Sequence, residues 1–73
     1  MVVPAPIEEV EFEREVAFIE RALAESGPTE RRELARLVGA RFWGPGRFAA
    51  ALHEAVESGH ARRVSRNRFG PAG

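Results

Sequence analysis

At 73 residues, with 11 acidic and 11 basic side chains and no Cys, the chain is one small domain without a disulfide, thiol chemistry or a thiolate metal site. Hydrophobic content of 44% beside 30% charged residues excludes compositional disorder, and no apolar run approaches the roughly 20 residues that span a bilayer. The neutral total conceals a division: residues 1–30 carry eight Glu and two Arg, net −6, whereas residues 31–73 carry nine Arg and three Glu, net +6.

Every Lys/Arg-type cation is Arg, and Lys, Asp, Gln and Tyr are absent. Codon bias in a GC-rich genome accounts for that choice, but the consequence is physical. Each guanidinium is planar, permanently charged and shaped for paired contacts with phosphate or guanine. The first residues carry neither the basic n-region nor the apolar h-region of a secretory signal, so a cytoplasmic location is expected. A domain of this size buries about 60% of its unfolded surface, so each apolar side chain counts.

Met1–Pro6 contains two prolines, which disfavour helix and predict a flexible arm over residues 1–7. From Ile7 or Glu8 to Ser26 the spacing is helical: Phe12, Val16, Ile19 and Leu23 form one apolar stripe, with Glu9, Glu13, Arg14, Glu20 and Arg21 opposite. The Glu residues of this helix read as a solvated face. Phe18 lies beside the stripe, either packed on the arm through Ile7 or open to a partner. Ser26-Gly27-Pro28 stops the helix.

Thr29 is the expected N-cap of a second helix, whose buried side is Leu34, Ala35, Leu37 and Val38. Its end is open between Gly39, as a C-cap, and Phe42, two turns beyond Leu34. Trp43-Gly44-Pro45-Gly46 is a break. Pro45 suits the first turn of a third helix that runs through Val56, with Phe48, Leu52, Ala55 and Val56 inward and Ser58-Gly59 as its stop. Trp43, Phe42 and Phe48 are assigned to the core. His60–Gly73 predicts a hairpin: strands Ala61–Val64 and Arg68–Gly70 flank Ser65-Arg66-Asn67, where Asn accepts positive φ. Val64 and Phe69 are its expected anchors.

Helix, Gly-Pro stop, helix, turn, helix ending in Gly, then an Arg-rich hairpin resembles the winged helix-turn-helix superfamily. Phe48-x3-Leu52-x2-Ala55-Val56-x2-Gly59, followed by His60-Ala61-Arg62-Arg63-Val64, is similar to a recognition helix leading into a wing. Leu34-Ala35 with Val38-Gly39 resembles the first helix of the motif. The resemblance spans about residues 8–71. It implies a mainly α fold with a small β-hairpin, a three-helix winged helix-turn-helix over residues 8–73.

The resemblance also implies a partner, double-stranded DNA, and a role as a transcriptional regulator or nucleoid-associated factor, the latter if the source is bacterial. The third helix would enter the major groove, and the wing would follow the backbone or a minor groove. On this sequence the wing contacts fall to Arg62, Arg63, Arg66, Asn67 and Arg68. Flanking phosphates fall to Arg31, Arg32 and Arg36, and base reading to the first turns of the third helix, around Arg47, Ala49, Ala50 and His53. Two features depart from the pattern. The segment Val38–Phe48 is about three residues longer than a compact helix-turn-helix needs. The outward positions of the third helix, Arg47, Ala49, Ala50, His53, Glu54 and Glu57, carry one permanent cation.

Catalysis has no support. Ser26, Ser58 and Ser65 are cap or turn residues, no Asp exists to orient a His, and no Gly-rich phosphate loop follows a strand. No enzyme activity, cofactor, metal, membrane or small-molecule ligand is expected; His53 and His60 lack the neighbours of a metal site. The competing expectation is a winged-helix protein-interaction module without DNA binding, since one fold serves many functions. Glu54, Glu57 and the acidic first helix favour it, and that helix also offers Phe18 for pairing into a homodimer. The two expectations separate on whether the Arg side chains share one surface with the carboxylates behind them.

Overall fold

A computed structural model of the chain describes residues 7–73, with side chains from residue 9 onward. The arm expected over residues 1–7 lies outside the described residues except for Ile7, which opens the first helix; the Phe18–Ile7 contact lies outside them too. The elements are α1 (Ile7–Ser26), β1 (Thr29–Glu30), α2 (Arg31–Leu37), a 3-10 turn (Ala40–Phe42), α3 (Arg47–Glu57), β2 (Ala61–Ser65) and β3 (Arg68–Pro71). The strands form one antiparallel sheet in the order β1-β3-β2. This is the layout of a winged helix-turn-helix: three helices, with the β2–β3 hairpin as the wing.

The core follows the helical periodicities. Val16, Ile19 and Leu23 of α1 are buried, with Phe12 half-buried at the end of the stripe. They meet Leu34 of α2 and Phe48, Ala51, Leu52 and Ala55 of α3. Ile19, Leu23 and Leu34 are wholly enclosed, each worth roughly 1.5–3 kcal/mol of burial. Trp43 sits between Phe18 and Phe48, ring centroids 6.5 and 6.1 Å away, and closes the turn as expected. On α3, Ala51 takes the fully buried place expected for Val56, which is half-buried.

Thr29 is not an N-cap. It lies in β1 opposite Phe69, and its hydroxyl donates to the Gly27 carbonyl at 2.8 Å. Glu30 occupies the cap position without a side-chain hydrogen bond. The Arg31 N–H instead donates to the Asn67 carbonyl at 2.7 Å, so the wing turn satisfies one of the four donors a helix start leaves open. A two-residue strand formed by docking on β3 carries no periodic signal of its own.

The helix-turn-helix connection also differs. α2 ends at Leu37, with Val38 as C-cap and Gly39 left-handed at φ 69°. The chain then makes the separate 3-10 turn, so Gly39 does stop α2 and Phe42 is not part of it. Pro45 precedes α3, whose N-cap is Gly46. The extra length between Val38 and Phe48 is spent on these two features.

Three apolar assignments are corrected. Phe42 is 78% exposed, not core, because the 3-10 turn swings its ring outward, where the Arg41 guanidinium covers it at 4.9 Å. Leu37, in the last turn of α2, is half exposed. Val64 is exposed, and the wing is anchored by Ala61 and Phe69. A bulge between Arg63 and Ser65 takes Val64 out of the ladder. The wing turn needs no positive φ at Asn67: among the described residues only glycines adopt it.

Candidate nucleic-acid interface

The wing and α3 enclose a groove, with Leu52, Val56 and Phe69 at its floor. Arg31 from the start of α2, Arg63 and Arg66 from the wing, and His53 and Asn67 line it. The Arg31 guanidinium sits over the Phe48 ring at 5.4 Å, and that of Arg63 over Phe69 at 5.9 Å. Each aromatic ring holds one cation at the groove wall, and among the described residues neither cation has an ion-pair partner. Arg63 also donates to the Arg66 carbonyl at 2.7 Å, which fixes the wing turn. Glu57 is the single carboxylate among the lining residues, with its Oε1 3.9 Å from His53 Nε2.

The pleat divides the wing cations. Arg63 stands opposite Phe69 and shares its face, toward the helices. Arg62 stands opposite Gly70, and Arg68 lies beside Glu30 of β1, both on the far face of the sheet. The expected wing cluster is therefore two pairs on two faces. On α2, Arg32 is exposed, and Arg36 is bound to Glu33, Nε to Oε2 at 2.9 Å. The hydrogen bond from Arg36 holds the Glu33 carboxyl below the ordinary carboxylate range, and Glu33 in return raises Arg36.

Arg47 does not face outward. Its Nε donates to both carboxylate oxygens of Glu15 on α1, at 3.1 and 2.9 Å. Its side chain is 31% exposed, and Glu15 as a residue is only 8% exposed. The cation assigned to base reading is thus engaged in joining α1 to α3. Glu15 is correspondingly not part of a solvated face. The sequence did hold a signal for it: Glu15 stands three residues after Phe12 and four before Ile19, on the shoulder of the apolar stripe.

With Arg47 withdrawn, the outer face of α3 is Ala49, Ala50, His53, Glu54 and Glu57, all exposed. A second groove, between α1 and α3, has an apolar floor of Phe12, Val16 and Ala17, rimmed by Glu9, Glu13, Glu20 and Glu54. Arg31, Arg63 and Arg66 thus share the wing side of α3 with Glu57, while the α1 side holds the four carboxylates together with Arg47 and His60.

No protein family, curated protein or solved structure matches this chain. Among the described residues no helix is long and apolar enough to cross a membrane, and no group of His, Cys, Asp and Glu could hold a metal ion.

Proposed function

We propose that this domain binds double-stranded DNA with low sequence selectivity, using the groove between α3 and the wing. The observation that carries the reading is the convergence of Arg31, Arg63 and Arg66, from two separated parts of the chain, on one groove beside α3. Phosphate contacts supply affinity and register, while base contacts supply selectivity. Three guanidinium groups serve the first purpose. The outer face of α3 serves the second poorly: Ala49 and Ala50 allow close approach and can touch a thymine methyl, and His53 is the one donor there. A cytoplasmic, nucleoid-associated or weakly selective regulatory role fits this balance.

The test is an anisotropy titration of a labelled random-sequence duplex at several salt concentrations. Three neutralised phosphates give a log–log salt slope near −2.7. The Arg31→Ala/Arg63→Ala/Arg66→Ala variant, folded by circular dichroism, should lose most of the binding. The Arg62→Ala/Arg68→Ala variant should keep most of it. Absence of salt-sensitive binding at low ionic strength would overturn the proposal.

One observation favours a second reading. The acid-rimmed apolar groove between α1 and α3 has the shape and charge to receive a basic amphipathic segment of another protein. A chain that ignores duplex DNA in the titration above would point to that groove instead.

A further inference from the structure

A third surface lies between α1 and α2, and none of its residues lines the groove beside the wing. Phe18 and Leu37 are 43% and 45% exposed, and they border one shallow hollow with Ala22 and Val38. Phe42 adjoins this surface, its ring beside Gly39, the residue that follows Val38. Large apolar side chains left open together on so small a domain mark an interaction surface. Two charges edge the hollow, Arg21 and Glu25, one helical turn apart on α1. Among the described residues neither has an ion-pair partner.

We infer that this surface is the contact between two copies of the chain, related by a two-fold axis beside Ala22. An isologous contact sets α1 antiparallel to its copy, so whatever faces a residue on one side is repeated on the other. With the axis midway between Arg21 and Glu25, Arg21 of each copy meets Glu25 of the other, giving two ion pairs from one pattern. Centring the axis on Phe18 would instead set Glu25 of each copy against Glu11 of the other, two like-charge contacts. The charges therefore choose the axis. Ala22, small and half-buried, lets the two helices approach there, and Phe18 and Leu37 are covered on either side. The self-complementary order of charge is what selects a second copy over an unrelated protein. The inference stands independently of DNA binding, because the wing grooves of both copies stay open.

Sedimentation equilibrium over a wide concentration range tests it. The unaltered chain should dimerise. Arg21→Glu sets Glu against Glu at both contacts, and Glu25→Arg sets Arg against Arg, so each should weaken the dimer by about tenfold or more. Both positions are exposed, and circular dichroism will verify that the fold is kept. The double variant Arg21→Glu/Glu25→Arg should restore dimerisation. An equimolar mixture of the two single variants should associate more tightly than either alone, because every contact is then attractive. A chain that stays monomeric at all concentrations would overturn the inference. So would a dimer indifferent to the single changes, or single defects that the double change does not repair.

Discussion

Replacing Glu15 by Gln perturbs a contact that joins residues 32 positions apart and ties the start of α3 to the middle of α1. Glu15 accepts both hydrogen bonds from one Arg47 nitrogen, so the change removes the charge while nearly keeping the shape. A hydrogen bond to a charged group contributes about 1.5–3 kcal/mol, and breaking a fully buried ion pair costs about 3–5 kcal/mol. Arg47 is 31% exposed at its side chain, so water recovers part of that loss, and the expected cost is about 2 kcal/mol. A domain of this size has a total stability of roughly 4–11 kcal/mol, and each kcal/mol shifts its Tm by about 4–8 °C. Glu15→Gln should therefore melt roughly 8–16 °C lower. Arg47→Met should cost a similar amount. The two changes together should cost less than their sum, leaving a coupling energy of about 1–2 kcal/mol in urea unfolding followed by circular dichroism. DNA binding supplies the second half of the test. Below its Tm, Arg47→Met should bind the random duplex nearly as well as the unaltered chain, whereas Arg66→Ala should bind more weakly with an unchanged Tm. Additive stabilities would refute the reasoning. A loss of DNA affinity in Arg47→Met as large as in Arg66→Ala, without a loss of stability, would refute it equally.

Two further outcomes are expected. Phe48→Ala should cost about 3–5 kcal/mol and lower the Tm by roughly 12–40 °C, while Phe42→Ala should stay within about 0.5 kcal/mol of the unaltered chain; thermal melts of the two variants compare them directly. The Glu33–Arg36 pair makes a pH prediction whose sign follows from the lowered Glu33 pKa. Its stabilisation is present above the ordinary carboxylate range and is lost as pH falls through the folded value, so the small Tm advantage over Glu33→Gln should vanish in acid.

The parts of this molecule that depend on neighbouring residues were readable directly. The stripe Phe12, Val16, Ile19 and Leu23 became the buried side of α1, and Phe48, Leu52 and Ala55 that of α3. Gly27-Pro28 and Gly44-Pro45-Gly46 broke the helices where they stand, and His60–Gly73 gave the hairpin. Periodicity and turn chemistry are set by residues within about one helical turn or one strand pleat of each other, so no distant contact is needed to read them.

Tertiary structure decided the rest. β1 exists because Thr29 and Glu30 dock on β3, almost forty positions away in sequence. The destination of Arg47 was set by Glu15, and the outward swing of Phe42 by a left-handed Gly39 followed by a 3-10 turn. The four wing guanidinium groups look alike in sequence, but the pleat sends Arg63 toward α3 and Arg62 away from it. Composition could count the cations. Only the register of the strands and the packing of α1 on α3 could say which of them face one groove, because the direction of a side chain is a property of the backbone that carries it.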